Sequence, residues 1–561
     1  TACGVQVEVA NLTTGAASFT VTAQGGTVSG SASSAKASAY GVKAWGGTTA
    51  IGGDLALTIK SAGGTVAENG ELAVANADAY GVHISPYMNP GATYPGSLTV
   101  NGAITGSITA QGGTAKLASS DNNYTGGNLC NATGIDNDSS TLQADGASLT
   151  VTAAGGAFTS SLAEYVSASA EAYGIATSGA HTTSITGATK LTVTATGGTA
   201  TTKTGDADDS GSAYASAEAY GVGNSYNLYA QTSSGLTVST LTLGSLAAEV
   251  TATAGNAQDI GQPGKNSSAY ATAFGISNGT NTTVQDTNPT ATIKAASADL
   301  TVTAAGGTGA DASAAATGIY NSATGGTAAT AITGLAKTTV TAAGGNNSTD
   351  QSWAYAIGIG NSAYEATKND SKHTHLAYGT ATFQAGSVES TVTATGGSSS
   401  AANGIGNVNA FGVTNYGYDE NKATLTVTGS TTVAATATAN AATPSYVEAI
   451  GLGNNGDTSA VMSLQDATVT ATATGGNIGF EGNITNTAQA IQNYFGVVTA
   501  RNLNLTATAT GGAQAVGSDK VRQTEAHGIY NYAGTVSATG AVTIKTSVTP
   551  GGGANEYFAA D

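Results

Sequence analysis

Residues 191–198 read Leu191-Thr192-Val193-Thr194-Ala195-Thr196-Gly197-Gly198, a run in which apolar residues alternate with threonine before two glycines. Alternation with a period of two is typical of a β-strand that has one apolar face and one hydroxyl face. The two glycines permit a sharp corner, because glycine adopts positive φ angles without steric cost. The run therefore predicts a strand that ends in a tight corner.

Variants of this motif occur thirteen times in the 561 residues and alternate with twelve copies of a second motif. One copy of the second motif reads Ala172-Tyr173-Gly174-Ile175. The centres of successive copies are 32 to 54 residues apart, so we expect the insertions to form loops. Repetition of this kind is typical of a solenoid, in which each unit buries its apolar face against its neighbours.

The predicted fold class is all-β, an elongated parallel β-helix (β-solenoid) of about thirteen irregular coils. One large coil per repeat, at roughly 4.8 Å per layer, gives a rod of about 60 Å. We expect three segments: an N-terminal strand in residues 1–14, the repeat solenoid in residues 15–553 and a C-terminal tail in residues 554–561.

Asparagine falls three places after the motif glycine in eight of the twelve copies. Asparagine tolerates left-handed turn geometry, and its amide can bond to the same amide in the next layer. Such a ladder requires successive repeats to lie one strand spacing apart. The six consecutive members predicted to form it are Asn224, Asn278, Asn321, Asn361, Asn415 and Asn454.

A column of aromatic residues is predicted from the second motif. In the segment before Tyr173 the alanines share one face, and Tyr173 shares the other with Glu171, which places the aromatic residues outward. Two interpretations stay open: the motif closes turns, or the column binds a partner such as a glycan or a host surface protein. The predicted stripe consists of Tyr40, Tyr80, Tyr173, Tyr220, Phe274, Phe411 and Phe495.

The composition excludes several function classes. The net charge is −18 and only two arginines accompany 14 lysines, so no basic surface for nucleic acid is expected. The sequence contains no run of 18 apolar residues, so it predicts no membrane-spanning helix. The 34 acidic residues are scattered rather than clustered, which argues against a polysaccharide-acting enzyme. We therefore expect a non-catalytic protein that requires no cofactor.

The two ends of the repeat look uncapped. An alternating strand, Val5-Gln6-Val7-Glu8-Val9, precedes the first motif, and another spans residues 542–548. The first strand either completes its own coil or is donated to a neighbouring subunit. Contact between unlike ends builds an open filament rather than a ring. The residues predicted to make the subunit contact are Val5, Val7, Val9, Val542, Ile544 and Val548.

Two sparse features suggest stabilising links. Cys3 and Cys130 are the only cysteines, and in an oxidising compartment they are expected to form a disulfide, within one chain or between two. The segment with Asp206, Asp208 and Ser210 resembles the start of a calcium loop, although Ala217 stands where the twelfth-position glutamate is expected. The segment is therefore interpreted either as a site for a structural calcium ion or as a solvated acidic loop.

The alternation of the two motifs resembles the β-helical passenger regions of bacterial surface adhesins, including the autotransporter and filamentous-haemagglutinin types. The resemblance covers about the whole chain and lies in the style of the repeat. It implies a location at the cell surface or outside the cell, and an adhesive or scaffolding role. The start at Thr1 without a methionine agrees with export through a cleaved signal peptide.

Three hypotheses follow for function. The leading one is a secreted structural subunit that assembles head to tail with copies of itself into an extracellular filament or matrix fibre, as in a biofilm. The second is a monomeric cell-surface adhesin whose aromatic stripe binds a glycan or a host protein. The weakest is a polysaccharide-acting enzyme on a β-helix.

Overall fold

The computed structural model describes most of the chain. The described ranges are residues 1–29, 32–67, 72–89, 92–117, 125–160, 165–179, 181–203, 212–227, 238–260, 267–281, 289–347, 351–369, 374–398, 405–440, 445–476, 484–512, 522–551 and 556–560. Within these ranges the structure is all-β, with long parallel strands stacked in sheets. It is a parallel β-helix, as predicted.

The first face of the helix, sheet A, is built from the Tyr-Gly motifs. Among the described residues it contains 15 strands, of which two collinear ones share a layer, so the sheet has fourteen layers there. In layer order the strands are Ala2–Glu8, Ala37–Trp45, Ala77–Ser85, Thr125–Asp138, Tyr165–Ser178, Ser212–Tyr214 with Ala217–Asn227, Ser267–Asn281, Asp311–Thr324, Gln351–Tyr364, Ile405–Gly417, Ser445–Gly456, Ile484–Tyr494, Arg522–Tyr532 and Glu556–Ala560.

The second face, sheet B, is built from the Thr-Val motifs and has thirteen layers among the described residues. Its strands are Asn11–Thr14 with Ala17–Gln24, Thr48–Ile51 with Leu55–Ala62, Ser97–Gln111, Thr141–Ala154, Thr182–Ile185 with Thr189–Thr196, Val238–Thr253, Thr290–Ala305, Gly326–Ala343, Gly379–Thr395, Lys422–Val427 with Ser430–Thr438, Ala460–Ser463 with Asp466–Thr474, Val497–Ala500 with Asn502–Thr510, and Thr535–Ala538 with Val542–Thr549. Each layer pairs in parallel with the layers before and after it.

A third, narrower face, sheet C, follows the Gly-Gly corner in coils 1 to 8. Its strands are Thr27–Ser29, Thr65–Ala67, Thr114–Leu117, Ala157–Ser160, Thr199–Thr202, Asn256–Asp259, Thr308–Gly309 and Asn346–Asn347. Ala32–Ser34 pairs with Leu72–Val74 beside it. Two antiparallel hairpins, Tyr87–Asn89 with Ala92–Tyr94 and Ala366–Asn369 with Thr374–Ala377, are insertions between sheets A and B.

The core is narrow and made of small aliphatic side chains. In the strand Thr189–Thr196, Leu191, Val193 and Ala195 are buried while the threonines between them face outward. The alternation in the sequence therefore sets which face of each strand packs inside. One continuous apolar cluster runs through the coils from Val21 to Ala526.

The motif glycine occupies the same position in twelve of the fourteen layers of sheet A, where two successive residues of the strand face inward. A Cβ atom added at Gly174 would lie 2.5 Å from the carbonyl oxygen of Gly221 in the next layer and 3.0 Å from Cδ1 of Leu191. Real Cβ atoms do not approach a backbone oxygen this closely, so only glycine fits without displacing the next coil. This close packing favours glycine after the outward residue, and Ala490 is the exception in the twelfth layer.

The expected segment boundaries need correction. Ala2–Glu8 pairs in parallel with Ala37–Trp45 and is the first layer of sheet A, so residues 1–14 belong to the first coil. Glu556–Ala560 pairs with Arg522–Tyr532 as the fourteenth layer and is not a separate tail. The first strand completes its own coil, because its inward positions share the apolar core of that coil. None of the described residues lies in a helix long and apolar enough to cross a bilayer.

Candidate functional site

The residues that precede the corner glycines form one column on the outer face of sheet A. The register aligns them layer by layer, since each residue is the Cα partner of the next. From coil 1 to coil 13 the column reads Cys3, Tyr40, Tyr80, Thr133, Tyr173, Tyr220, Phe274, Thr317, Ile357, Phe411, Ile450, Gln489 and His527.

Five members of the predicted stripe form two separate ring stacks, with Thr133 between them. The rings of Tyr40 and Tyr80 are 5.0 Å apart and inclined by 4°. Tyr173 lies 4.8 Å from Tyr220, and Tyr220 lies 5.1 Å from Phe274. These rings point outward, as predicted, but each is half-buried because its neighbours cover its faces. Burial raises the pKa of the Tyr80 and Tyr220 hydroxyls, so both rings are uncharged at neutral pH.

Charged groups surround the first of these stacks. The Lys43 ammonium lies 4.4 Å from the centre of the Tyr40 ring and 4.0 Å from that of Trp45, within cation–π range. Nδ1 of His83 lies 2.7 Å from Oδ2 of Asp136. This end of the outer face is therefore polar and internally paired, and its aromatic faces are already occupied.

Phe495 does not belong to the stripe, and its placement there is wrong. The residue in register with Ile450 is Gln489, and an alanine, Ala490, stands in place of the corner glycine. Phe495 lies beyond the end of that strand with φ of +60° and packs edge-on against Tyr532, with the ring centres 5.3 Å apart. The Phe-Gly dipeptide at 495–496 imitates the motif six residues downstream of its true position.

A groove opens where the column changes from aromatic to smaller residues. Thr317 and Ile357 are 5% and 8% exposed and form its floor between Phe274 and Phe411. The groove has a volume of about 430 Å³. Its walls include Tyr320, Tyr355, Tyr364 and Tyr416, and Ile450, Asn455 and Gln492 line its far end.

The aromatic rings of the groove are tilted rather than stacked. Tyr355 and Phe411 are 5.3 Å apart and inclined by 60°, and Tyr364 and Tyr416 are 5.2 Å apart and inclined by 33°. Burial raises the pKa of Tyr355 to about 12, so its hydroxyl is protonated at neutral pH and can donate a hydrogen bond. The groove therefore combines open ring faces with neutral polar groups.

The asparagine ladder lies at the corner between sheets A and B. All six predicted members are buried, and each donates from Nδ2 to Oδ1 of the asparagine in the next layer over 2.7 to 2.9 Å. The ladder continues from Asn454 to Asn493 and on to Asn531. Each amide also donates to the start of sheet B, as Asn415 does to the carbonyl oxygen of Ala423 at 3.1 Å. The ladder thus ties the two large sheets together.

The predicted disulfide is not formed. Cys3 and Cys130 are free thiols on the first and fourth strands of sheet A, three strand spacings or about 14 Å apart. Cys130 is fully buried, and burial raises the pKa of its thiol to about 12. The intrachain pairing is therefore wrong. Cys130 also presents no sulfur atom at the surface for a second chain.

The end strands place the predicted subunit-contact residues at open faces of the rod. Val7 is buried and Val5 half-buried in the first coil, while Val9, just after the strand, is exposed. At the other end Val542 and Ile544 point toward the core, yet they are 49% and 45% exposed. Val548, further along the same strand, is half-buried.

The calcium prediction is not tested by the structure. Asp206, Asp208 and Ser210 lie outside the described residues. Among the residues that are described, no three His, Cys, Asp or Glu side chains come together in a group that could hold a metal ion.

Two features of these sites were missed by sequence reasoning. Asn493 was missed because the Phe495-Gly496 pair imitates the motif, whereas the outward residue four places before Asn493 is Gln489. The groove was missed because its walls, such as Tyr320 and Tyr355, come from positions beside the column. Only the lateral alignment of neighbouring coils brings them together.

Comparison with family models, curated proteins and solved structures yielded no match for this chain. The resemblance to β-helical surface adhesins therefore stays a prediction from the style of the repeat.

Proposed function

We propose that this chain is a non-catalytic structural subunit that assembles head to tail with copies of itself into an extracellular filament. The observation that supports this most strongly is the exposure of core positions in the last coil. Leu505 is 0% exposed, whereas Ile544, its partner in the next layer, is 45% exposed. A further coil stacked on this face would bury Ile544 as Ile544 buries Leu505.

The first and last strands of sheet A support the same proposal. Glu556–Ala560 pairs with the first half of its neighbour, from Arg522 to Ala526. Ala2–Glu8 pairs with the second half of its own neighbour, from Ala39 to Trp45. The two strands therefore occupy complementary halves of a layer and have one position in common. A second copy would place both in a single layer at the joint.

The direction of the strands determines the kind of assembly. All layers of sheets A and B are parallel, so the two ends of the rod are unlike and each end complements the other. Contact between unlike surfaces propagates as an open filament. Unpaired strand edges are themselves templates for such pairing. Coils contributed by flanking segments of a longer chain would occupy the same two faces.

A pair of variants in one strand tests the proposal. Ile544→Lys places a charge on a side chain that is half exposed in the single subunit, so the coil still folds. Burial of that charge at the joint is costly, and we expect filaments to be lost. Thr543→Lys is the matched control, because Thr543 is exposed on the outer side of the same strand.

Electron microscopy and sedimentation of both variants provide the measurements, with circular dichroism to verify the fold. Filaments from the chain and from Thr543→Lys, but not from Ile544→Lys, support the proposal. If the Ile544→Lys variant still forms filaments, the end faces are not the surfaces through which the subunits contact each other. A folded chain that stays a single short rod at high concentration would contradict the function itself.

One observation favours a second candidate, the surface adhesin. The groove on sheet A has the size of a ligand site and is lined by aromatic and neutral polar groups. Binding there is compatible with filament formation, since the groove lies on the outer face of sheet A in coils 7 to 12 and includes no residue of the first or last coil.

A further inference from the structure

The groove exists because the aromatic column is interrupted. In coils 5 to 7 each ring covers the face of the next, as Tyr220 covers Phe274. In coils 8 and 9 the column holds Thr317 and Ile357, so the Phe274 ring has no aromatic partner in its own column on that side. Tyr320, from a neighbouring position, approaches Phe274 at 6.1 Å and 44°. The result is a hollow with ring faces around it.

The chemistry of the lining is neutral. Its residues include four tyrosines, two phenylalanines, two isoleucines, asparagine, glutamine, serine and threonine, and none of them is Asp, Glu, Lys, Arg or His. Tyr355 and Tyr364 are 39% and 38% exposed, so a ligand can reach them. A charged ligand would find no counter-ion in this lining, which favours an uncharged one.

A buried acceptor at the far end is unpaired. Oδ1 of Asn455 has no hydrogen-bond partner among the described residues, although its Nδ2 lies 3.4 Å from Oε1 of Gln492. A buried amide oxygen without a donor is unfavourable, because it has lost its hydrogen bonds to water without replacement. Asn455 and Gln492 both line the groove and bring side-chain amide groups to its far end.

We infer that this groove binds a neutral oligosaccharide. A pyranose ring has an apolar face of C–H groups, which packs on the electron-rich face of an aromatic ring, and an edge of hydroxyl groups. The tilted tyrosines supply the first contact, and the Asn455 and Gln492 amides supply hydrogen-bond partners for the second. From Phe274 to Gln492 the groove crosses five strand spacings, about 24 Å, which suits a short chain of sugars.

The site differs from the tyrosine stripe suggested by the sequence. Tyr220 has Tyr173 on one face and Phe274 on the other, so it offers only its edge. A peptide that adds a strand is also disfavoured, because the groove lies on the face of sheet A in the middle of the rod, where both edges of every strand are paired.

Two variants probe the groove without depending on filament formation. Thr317→Phe restores the aromatic column and fills the floor, and the fold should tolerate it because a phenylalanine occupies the same column in coils 7 and 10. Tyr355→Ala removes a wall. Tyr165→Ala is the control, since Tyr165 is similarly exposed on the same sheet and makes a tilted ring contact with Tyr214 in coils 5 and 6, outside the groove.

Binding is measured by saturation-transfer NMR and calorimetry with gluco-, manno-, galacto-, xylo- and chito-oligosaccharides. We expect at least one of these to bind the chain and the Tyr165→Ala variant equally, and to bind Thr317→Phe and Tyr355→Ala about tenfold or more weakly. Binding that survives Thr317→Phe would place the site elsewhere. No response to any saccharide at millimolar concentration, or a response only to an apolar peptide, would overturn the assignment of the ligand.

Discussion

At the scale of single residues, the asparagine ladder is the feature with the clearest energetic role. Asn361 accepts a hydrogen bond from Asn321 at 2.7 Å and donates one to Asn415 at 2.8 Å. It also donates to the carbonyl oxygens of Ala381 and Thr424 at the start of sheet B. A fully buried amide with several partners cannot be replaced by an apolar side chain without leaving some of those partners unpaired.

Replacement of Asn361 by leucine should therefore destabilise coils 8 to 10. We expect a loss of about 2 to 4 kcal/mol, because buried partners on both sides lose a hydrogen bond. Hydrogen exchange followed by mass spectrometry measures the effect locally, as faster exchange in the strands on either side. Asn409→Ala on the outer face of the next strand is the control and should leave exchange unchanged. Equal exchange in both variants would deny the ladder an energetic role.

A half-buried carboxyl group on the outer face of sheet A makes stability depend on pH. Burial raises the pKa of Glu448 above its unfolded value, so its folded form is favoured when protonated. This contribution is fully present below the unfolded pKa of about 4.3 and is lost as pH rises through the folded pKa. Glu448→Gln should thus raise the melting temperature at pH 7 and give no gain below pH about 4. A gain that is the same at both values would exclude ionisation as its cause.

Much of the residue-scale account could be predicted from the sequence, because periodicity fixes which side chains share a face. The outward column and the six asparagines follow from counting positions relative to the motif glycine. Phe495 could not be placed in this way, since a Phe-Gly pair in a turn imitates the motif. The two cysteines could not be placed either. Their separation depends on how many coils lie between them and on which face each side chain takes.

At the scale of elements, the aromatic stacks tie successive strands of sheet A together on the outside. Tyr220 has Tyr173 on one face and Phe274 on the other, at 4.8 and 5.1 Å. Offset stacks of this kind contribute about 0.5 to 1.5 kcal/mol per pair beyond the burial of apolar area. These stacks connect successive strands on the outer face of sheet A, and the asparagine ladder connects successive coils inside.

Tyr220→Ala is therefore expected to reduce stability by about 2 to 4 kcal/mol through the loss of two stacking partners and their buried area. Chemical denaturation followed by tyrosine fluorescence measures it. Tyr165→Ala removes a more exposed ring that makes a tilted contact with Tyr214, and it should reduce stability by less. Oligosaccharide binding should not change in Tyr220→Ala; a loss of binding there would return the ligand site to the stripe.

The groove illustrates what one sequence leaves hidden at this scale. The insertions make the coils differ in length. The register between coil 8 and coil 9 therefore cannot be predicted from the sequence alone. The register shows that Tyr320 and Gly360 are partners, and that the glycine leaves space next to the tyrosine. Such a hollow depends on side-chain size in three or four adjacent coils at once.

At the scale of the whole molecule, the Gly-Gly corner offers a test of stacking. A Cβ atom added at Gly64 would overlap the carbonyl oxygen of Gly26 in the coil before it, and one added at Gly551 would overlap that of Gly512. An added Cβ at Gly26 meets no atom within 4 Å, because no described coil precedes it. In a filament the last corner of the neighbouring copy, at Gly551, would occupy that space.

Gly26→Ala should consequently fold as the parent chain does and assemble poorly. Sedimentation measures the assembly, and thermal unfolding of the dispersed subunit measures the fold. Gly223→Ala is the control, since its added Cβ would lie 3.9 Å from the nearest oxygen in the middle of the rod. Normal filaments from Gly26→Ala would mean that the corners of successive copies do not stack.

The central claim, that copies of this chain continue one another's coils, is tested most directly by cryo-electron microscopy of the purified protein. Thirteen coils at about 4.8 Å each predict filaments with a subunit repeat of about 62 Å and an unbroken 4.8 Å layer spacing across every joint. Discrete rods about 62 Å long, or filaments in which the layer spacing is interrupted between subunits, would contradict the claim.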